Sequence, residues 1–174
     1  VSNREAMFAF AERVLKRFGT VDVVINNAGI GGEGMPTWAT SIAGYERVMN
    51  INFYGVVHGT QAFLPELIRK NSGHVVNVSS IFGIAAYPDQ GAYVTAKFAV
   101  RGFTESLAVE LSGTPIQVHL VHPGGINTNI VRTEDGKKFA KKFLTTPPDE
   151  ICEFVIDCIR KNEPRIVYGN NASR

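Results

Sequence analysis

The sequence of 174 residues predicts an α/β protein built on a parallel, doubly wound sheet. Two observations favour this fold class. Short runs rich in β-branched residues alternate with longer segments of helical apolar spacing, a pattern typical of βαβ units. Polar or glycine-rich residues also follow three successive predicted strands, at the ends where parallel sheets bind ligands. We expect a single domain over residues 1–174, since the length suits one core and no linker or repeat interrupts it.

Apolar residues at helical spacing predict the first two helical segments. The first helix is expected to start at Ser2, an N-cap residue with Glu5 three positions later as a capping box, and to end at Gly19. A long helical stretch is expected over Ser41–Lys70. Because Pro65 lies inside this stretch, we predict either two helices or one kinked helix.

The remaining elements continue the alternation. Strands are predicted at Val21–Asn26, His74–Ser80, Ile116–His122 and Arg165–Gly169, and helices at Gly91–Leu111 and Asp149–Lys161. The segment Thr128–Thr146 is polar and rich in lysine, with one short helix expected around Lys137–Phe143. Its basic residues are interpreted as a solvated helix face: Lys137, Lys138, Lys141 and Lys142.

Composition and charge argue against several classes of protein. Hydrophobic residues make up 44% and charged residues 20% of the chain, as in ordinary globular proteins. The net charge of +2 and the dispersed basic residues give no reason to expect nucleic-acid binding. No apolar run approaches the ~18 residues of a membrane span, and the N-terminus lacks a signal-peptide pattern, so we predict a cytoplasmic protein. Cys152 and Cys158 are expected to be buried free thiols.

Unusual residues follow three of the predicted strands. They are the segments Asn26–Gly29, Ser79–Ser80 and Pro123–Thr128. Because the carboxyl ends of parallel strands lie at one edge of a sheet, these segments should meet there. The sequence therefore predicts a ligand site at this edge of the sheet.

Tyr93 and Lys97 are the residues best suited to proton chemistry at that edge. They are four positions apart on a predicted helix, so their side chains should project from one face. A lysine ammonium beside a tyrosine stabilises the phenolate and lowers the pKa of the phenol from its ordinary value of ~10. A phenol with such a pKa can exchange a proton with an alcohol or a carbonyl oxygen. No other tyrosine of the sequence has a lysine four residues later.

Five motifs together resemble the short-chain dehydrogenase/reductase family. They are NNAG at Asn26–Gly29, Asn52 within NINFYG, Ser80 thirteen residues before Tyr93, YVTAK at Tyr93–Lys97 and PGGINT at Pro123–Thr128. The resemblance implies a Rossmann fold and hydride transfer to or from NAD or NADP. The family's glycine-rich phosphate loop would precede Val1, so the resemblance also implies a partial Rossmann-type domain without its first two βα units.

The same resemblance implies four catalytic residues. Tyr93 would be the general acid/base, since hydride transfer at carbon needs a matched proton at oxygen. Lys97 would lower the pKa of Tyr93 and hydrogen-bond the nicotinamide ribose. Ser80 would hold the substrate oxygen and stabilise the charge that develops there. Asn52 would bind a water that links Lys97 to solvent as a proton relay.

The resemblance further implies that Tyr93 and Lys97 share cofactor binding with two groups of residues. Asn26, Ala28 and Gly29 would line the adenosine side, and Pro123, Gly124, Ile126 and Thr128 would hold the nicotinamide. The segment Asn129–Pro147 would correspond to the family's mobile substrate lid.

Several other residues invite a functional interpretation that their sequence context does not favour. No metal site is expected, because His58, His74 and His119 lack metal-ligand spacing. His122 is interpreted as a strand-end histidine with a local hydrogen bond rather than as a base, since nothing in the sequence pairs with it. Loop aromatics at the predicted edge could contact substrate or serve packing: Trp38, Phe82 and Tyr87.

The leading hypothesis is an NAD- or NADP-dependent oxidoreductase that interconverts a secondary alcohol and a carbonyl compound. A short alcohol or ketone, a steroid-like or lipid carbonyl, and a 3-oxoacyl thioester all remain candidate substrates. The alternative is a non-catalytic Rossmann module that binds a nucleotide or a partner chain, because the phosphate loop is absent from the sequence. The resemblance implies a homodimer or homotetramer, and five apolar residues on long helices suit either that interface or the core: Val56, Val57, Phe98, Val100 and Phe103.

Overall fold

A four-stranded parallel sheet forms the centre of the computed structural model, which describes residues 1–131 and 140–172. The strands are β1 (Val23–Asn26), β2 (Gly73–Val78), β3 (Ile116–Pro123) and β4 (Arg165–Tyr168). They pair in sequence order, and all three pairings are parallel. The predicted fold class is therefore confirmed, as a partial α/β domain.

Helices connect these strands. They are α1 (Arg4–Phe18), α2 (Ile42–Met49), α3 (Gly55–Lys70), α4 (Gly91–Glu110) and α5 (Pro148–Arg160). The helical stretch predicted over Ser41–Lys70 consists of α2 and α3, joined by a π-helical segment at Asn50–Tyr54. Pro65 lies within α3 and does not end it. The helical geometry thus changes at the π-helical segment rather than at the proline.

The start of α1 differs from the sequence-based prediction by one residue. Asn3 is the N-cap, because its side-chain oxygen accepts a hydrogen bond of 2.8 Å from the Ala6 amide. The capping box predicted for Ser2 and Glu5 is wrong, since asparagine at the next position supplies the same kind of acceptor. The predicted end is confirmed: Gly19 closes the helix with φ +78°, a conformation that glycine adopts without strain.

The two faces of the sheet carry different helices. On one face, α1, α3 and α4 pack around a cluster of buried residues: Ala11, Val24, Phe63, Leu67, Val75, Leu107, Ile116 and Val118. On the other face, α5 packs around a second cluster: Val76, Val121, Cys158, Ile159 and Ile166. The alternation of side chains along a strand explains this division, since Val75 and Val76 point to opposite faces. Val23 and Ile25 of β1 are 40% and 54% exposed, because no described helix covers them.

Several expectations about burial can be compared with the structure. Cys158 is buried as predicted, but Cys152 is exposed, because it lies on the outer face of α5. Val56 and Val100 belong to the core, whereas Phe98 is 40% exposed and could serve an interface.

The lysine-rich segment is only partly described. Residues 140–143 are helical, which agrees with the end of the short helix predicted over Lys137–Phe143. Lys137 and Lys138 lie outside the described residues, so the interpretation of the basic cluster as a solvated face stays a prediction. Within residues 1–131 and 140–172, no helix combines the length and apolar character needed to cross a bilayer.

Candidate active site

The segments expected to meet at the carboxyl edge of the sheet do meet there. β1, β2 and β3 are neighbours, and their last residues are Asn26, Val78 and Pro123. The 3₁₀ turn Ile81–Gly83 follows β2 and packs against α4, which brings Tyr93 to the same edge. Each segment could be predicted from the residues around it in the sequence. The segments meet because the three strands pair in parallel.

Lys97 is a buried ammonium group with hydrogen-bonding capacity to spare. Its side chain is 3% exposed, and Nζ donates a hydrogen bond of 2.9 Å to the Val78 main-chain carbonyl. An ammonium group has three N–H donors, and Val78 is the acceptor that the described residues provide. Burial lowers the pKa of Lys97 to about 8, because a charged group is poorly solvated there. A ligand with hydroxyl groups could use the remaining donors.

Tyr93 lies one helical turn before Lys97 on α4, as predicted. The Lys97 Nζ atom is 5.6 Å from the centre of the Tyr93 ring. Burial raises the pKa of the Tyr93 phenol, and a hydrogen bond with the Ser80 side chain lowers it. The net shift is upward because desolvation outweighs the Ser80 bond, and the lowering of this pKa by Lys97 stays a prediction. The phenol is therefore held in its protonated form.

Ser80 is both the cap of a turn and a contact of Tyr93. Its Oγ atom accepts a hydrogen bond of 3.1 Å from the Phe82 amide at the start of the 3₁₀ turn. The Ser80 hydroxyl proton is thereby left for Tyr93, and a bond donated to the phenol oxygen favours the phenolate. The two lone pairs and one proton of a hydroxyl accommodate both the cap and the contact with Tyr93.

The neighbouring Ser79 has a structural role. Its Oγ atom donates a hydrogen bond of 2.8 Å to the Lys97 main-chain carbonyl, which ties α4 to the end of β2. A Cβ atom on Gly83 would collide with Ser79 Oγ and with the Lys97 main chain. The glycine therefore allows the turn to approach α4 closely.

Asn52 is fully buried in the π-helical segment, where its side chain holds a loop. Its Oδ1 atom accepts from the Ile30 amide and its Nδ2 atom donates to the Ile30 carbonyl, both at 2.8 Å. A Cβ atom placed on Gly29 would lie 3.4 Å from Asn52 Oδ1 and 3.7 Å from Lys97 Nζ. The side chain of Asn52 thus positions the loop after β1 beside Lys97. Its part in a proton relay stays a prediction.

Asn26 belongs to a chain of side-chain hydrogen bonds that runs from one helix across two neighbouring strands to another helix. Its Nδ2 atom donates to Thr60 Oγ1 at 3.0 Å and to Asn77 Oδ1 at 2.8 Å. Asn77 Nδ2 donates in turn to Thr104 Oγ1 at 3.1 Å. These contacts join α3, β1, β2 and α4, so the Asn26 amide stabilises the sheet beside its predicted role toward the cofactor. Sequence reasoning missed Thr60, Asn77 and Thr104, because isolated polar residues inside helices and strands form no pattern.

Ala28 and Gly29 lie at the surface of the carboxyl edge. Both are exposed, and a pocket between α1, β1 and α3 opens beside them. Its lining includes Asn26, Asn27 and Ala28 together with apolar residues of the three elements. The role of these residues as the adenosine side of a dinucleotide site stays a prediction.

The segment after β3 is tightly bound to the C-terminal part of the chain. The Gly124 amide donates to the Tyr168 carbonyl at 2.7 Å, and the Gly125 amide donates to the Asn170 carbonyl at 2.8 Å. A Cβ atom on either glycine would collide with main-chain oxygens of that part of the chain. Ile126 is buried against Gly169, whereas Thr128 is exposed. Of the predicted nicotinamide residues, Thr128 thus presents an exposed side chain.

The residues present fit the nicotinamide and ribose end of a dinucleotide cofactor. Lys97 offers unspent N–H donors near the Tyr93 ring, and the Tyr93 phenol is hydrogen-bonded to the Ser80 hydroxyl. A buried lysine without a carboxylate partner costs free energy, and a ligand rich in oxygen acceptors would offset that cost. Within the described part of the chain, no group of three or more His, Cys, Asp or Glu side chains could hold a metal ion.

The aromatic residues of the edge differ in their surroundings. The Phe82 ring stacks on the Tyr87 ring at 5.0 Å between centres and meets the Tyr93 ring edge-on at 6.3 Å. Trp38 is 90% exposed. The Phe82–Tyr87 pair thus forms an apolar wall beside the phenol, whereas Trp38 projects into solvent.

His122 is hydrogen-bonded as predicted, but its partner is not local. Its side chain is 0% exposed, and Nδ1 lies 2.7 Å from the main-chain oxygen of Ser80, 42 residues away in sequence. No sequence pattern indicates this partner, because the contact depends on the pairing of β2 with β3.

Comparisons with known proteins agree with this geometry. A family model described as short chain dehydrogenase matches residues 1–138. The oxidoreductase SadH of Mycobacterium tuberculosis is 42% identical over 184 residues, which cover 99% of this chain and 66% of SadH. The chain spans 66% or less of the length of the curated relatives compared with it.

Two solved structures show a similar fold. A short-chain dehydrogenase/reductase from Burkholderia phymatum, in complex with NAD, has a TM-score of 0.85 and 25% identity, over 95% of this chain and 67% of that one. A metagenomic short-chain oxidoreductase in complex with NADP has a TM-score of 0.66 and 34% identity, over 70% of this chain and 55% of that one.

Proposed function

Because the chain belongs to the short-chain dehydrogenase family, we propose that it carries the catalytic part of an oxidoreductase that interconverts a secondary alcohol and a carbonyl compound. One observation carries the proposal. Ser80, Tyr93 and the buried ammonium of Lys97 lie together at the carboxyl edge of the sheet, with hydrogen-bonding capacity that the described residues leave unused. This combination of groups is suited to move one proton at a substrate oxygen.

Tyr93 exchanges that proton. A hydride that reaches a carbonyl carbon leaves negative charge on the oxygen, and a positioned acid must neutralise it. Burial keeps the Tyr93 phenol protonated, so it can donate in the direction of reduction. The Ser80 hydroxyl donates a hydrogen bond to the same substrate oxygen and stabilises the developing charge. In the direction of oxidation the phenolate takes the alcohol proton, and the Ser80 bond favours that phenolate before the substrate binds.

Lys97 holds the cofactor beside these two hydroxyl groups. NAD or NADP, when bound, supplies or accepts the hydride, and similar structures that contain NAD and NADP support either dinucleotide. The unspent N–H donors of Lys97 suit the hydroxyl groups of a ribose. Ala28 and Gly29 would approach the adenosine side through their main chain, with Asn26 holding the end of β1. Pro123, Gly124, Ile126 and Thr128 would border the nicotinamide.

The rest of the cofactor site would come from the remainder of the whole protein. β1 is the edge strand of the described sheet, and its residues Val23 and Ile25 are exposed. An exposed apolar edge strand is a ready template for a further parallel strand. A preceding βα segment that contains the phosphate-binding loop would cover this edge and complete the dinucleotide site.

The substrate, the assembly and the location extend the same proposal. The wall formed by Phe82 and Tyr87 borders Tyr93, so the small-molecule substrate would place its carbon skeleton there. Phe98 and Val109 are 40% and 76% exposed on α4, which supports a homodimer or homotetramer through that helix. A cytoplasmic location and a lid at Asn129–Pro147, which lies partly outside the described residues, stay predictions.

The test is turnover by the whole protein with NAD and with NADP. The substrate panel contains short secondary alcohols and ketones, a steroid-like ketone and a 3-oxoacyl thioester. We expect turnover that Tyr93→Phe reduces by about a thousandfold, because a general acid contributes roughly 10²–10⁴ to the rate. Tyr54→Phe is the matched control, since Tyr54 is 46% exposed and its ring stacks on His58, which has no proposed role in the site.

Two outcomes would count against the proposal. Undiminished turnover by Tyr93→Phe would remove the role assigned to the phenol. Dinucleotide binding without turnover of any substrate would favour the non-catalytic module instead.

A further inference from the structure

His122 is a buried histidine whose two ring nitrogens have different surroundings. The side chain is 0% exposed near the end of β3. Nδ1 lies 2.7 Å from the Ser80 main-chain oxygen. Nε2 is buried and has no hydrogen-bond partner among the residues that the structure describes.

The Ser80 carbonyl determines which nitrogen carries the proton. A carbonyl oxygen can only accept, so Nδ1 must donate, and the neutral ring then leaves Nε2 without a proton. Burial lowers the pKa of His122 and favours this neutral form, while the bond to Ser80 acts in the opposite direction. Arg101 on α4 and Arg165 on β4 also lower the pKa, and Glu105 on α4 raises it.

A histidine at this position costs free energy that an apolar residue would not. A buried acceptor without a donor loses its bonds to water and gains none in return, and Nε2 is such an acceptor. The neighbouring inward-facing residues of β3 include Leu120, which shows that an aliphatic side chain fits this face. The donor at Nδ1 is the one feature of His122 that a leucine lacks and that makes a specific contact.

That contact completes the restraint of Ser80. The Gly83 amide donates to the Ser80 carbonyl at 2.9 Å, and His122 Nδ1 donates to the same oxygen at 2.7 Å. The two bonds occupy both lone pairs of the carbonyl. The Phe82 amide donates to Ser80 Oγ at 3.1 Å. Ser80 therefore accepts hydrogen bonds at both its carbonyl oxygen and its hydroxyl oxygen. Its hydroxyl proton is the group that it can still donate to another atom.

We propose that His122 is a positioning residue for Ser80: its Nδ1–H group fixes the Ser80 peptide plane and thereby aims the Ser80 hydroxyl at the substrate oxygen. The inference rests on the proposed function. It adds a residue on β3 that touches neither substrate nor cofactor and acts through the hydroxyl that does. A misplacement of about 1 Å in such a group can cost up to about 10² in rate, so loss of the bond should be measurable.

Three substitutions separate the donor from the bulk of the ring. His122→Leu removes the donor, and His122→Gln moves it one bond farther from the main chain. His122→Asn keeps an N–H donor at the position of Nδ1, because both nitrogens are two bonds from Cβ. We expect His122→Leu and His122→Gln to lower kcat about tenfold with the cofactor KM unchanged, and His122→Asn to restore most of the rate.

A double-mutant cycle tests whether the effect passes through Ser80. In a Ser80→Ala background, His122→Leu should have no further effect on kcat, because no hydroxyl remains to be aimed. His119→Leu is the matched control, since His119 is equally buried but faces the opposite side of the sheet. It should alter stability and leave kcat within about twofold.

Amide hydrogen exchange provides a measurement that needs no turnover. Exchange at Phe82 and Gly83 should be about tenfold faster in His122→Leu and His122→Gln than in wild type, and close to wild type in His122→Asn. The proposal would be overturned if His122→Leu lowered kcat equally in the wild-type and Ser80→Ala backgrounds. Unchanged exchange and kcat in both His122→Leu and His122→Gln would overturn it as well.

The same experiments separate this proposal from the proposed function. If wild type shows no Tyr93-dependent turnover, the proposed function itself fails. Exchange that still depends on His122 would then identify a purely structural bond and overturn the positioning role too.

Discussion

The interior of the sheet and its carboxyl edge both bury polar groups, but they use them differently. In the interior, Asn77 is 0% exposed, and its amide accepts from Asn26 and donates to Thr104. At the edge, Lys97 is 3% exposed, and its three N–H donors find one acceptor, Val78, among the described residues. In the interior, the polar groups of Asn77 are hydrogen-bonded within the fold. At the edge, Lys97 keeps N–H donors that a ligand could use.

The difference shows that burial alone does not distinguish structural from functional polar residues. A buried polar group with satisfied partners stabilises the fold, and one with unsatisfied capacity destabilises it. The interior chain should therefore matter for stability and little for the chemistry. The edge should matter for the chemistry at a cost in stability.

Lys97→Met should produce the largest contrast between activity and stability. We expect turnover to fall by about a thousandfold, because the substitution removes a group at the reaction centre. Stability without cofactor should rise, since the lowering of the Lys97 pKa to about 8 corresponds to a penalty of about 3 kcal/mol at neutral pH. Loss of the hydrogen bond to Val78 offsets about 1 kcal/mol of this increase in stability. Urea unfolding at pH 7 measures the net increase, expected at about 2 kcal/mol.

The stability gained by Lys97→Met should depend on pH in one direction. Below pH 8 the folded protein must hold the buried lysine charged, so the full penalty applies. As the pH rises from about 8 toward the ordinary lysine value of ~10.4, the folded state loses its proton first and the penalty fades. Unfolding curves of wild type and Lys97→Met should therefore converge across this window. Lys70→Met is the control, because Lys70 pairs with Asp22 and its replacement should not raise stability at pH 7.

Ser80→Ala tests the edge without a change of charge. We expect kcat to fall by about a hundredfold, the effect typical of removing one donor to a developing oxyanion. The loss of the cap at the Phe82 amide should cost about 1 kcal/mol of stability. Kinetics and thermal unfolding measure the two effects. A Ser79→Ala variant that lost as much activity would show that the contact between β2 and α4, rather than the Ser80 hydroxyl, is what the chemistry needs.

Asn77→Ala tests the interior. It leaves the Asn26 amide and the Thr104 hydroxyl each with one remaining partner and opens a small cavity. We expect a loss of about 2 kcal/mol in the free energy of unfolding, with kcat changed by no more than about threefold. Thr104→Val, which removes only one end of the chain, should cost about half as much. A large loss of kcat at full stability would contradict the separation between interior and edge.

The smallest expected effect concerns the histidine pair on the α5 face. His119 Nδ1 lies 2.7 Å from the Glu163 carbonyl, and His74 Nδ1 lies 3.0 Å from His119 Nε2. The carbonyl can only accept, so both rings donate through Nδ1 and are neutral. Desolvation lowers the pKa of each histidine, and Lys70 adds to the effect on His74.

Stability should therefore be complete above the unfolded pKa of about 6.5 and should decline as the pH falls below it, since the unfolded chain then binds more protons. We expect the free energy of unfolding to fall between pH 7.5 and 5.5, and to fall less in a variant that lacks one of the two histidines. Urea unfolding of wild type and His119→Phe at these two pH values measures it. An equal pH dependence of the two proteins would contradict the assignment of a neutral His119.

The sequence predicted the order of helices and strands and the edge at which the site lies. These features depend on local patterns: β-branched runs, helical spacing and turn residues after each strand. An error arose where neighbouring residues could serve the same role: Asn3, rather than Ser2, is the N-cap of α1. The sequence also did not indicate the π-helical segment at Asn50–Tyr54 that joins α2 and α3.

Sequence alone determined which groups we propose for the chemistry, because Ser80, Tyr93 and Lys97 stand in recognisable motifs at the ends of predicted elements. The tertiary structure decided how those groups are tuned. Burial, a property of packing, raises the pKa of Tyr93, whereas its adjacency to Lys97 predicted a lower value, and burial also lowers the pKa of Lys97. The tertiary structure also decided the hydrogen-bond partners. The Ser80 carbonyl that binds His122 lies 42 residues away in sequence and meets it only when β2 and β3 pair.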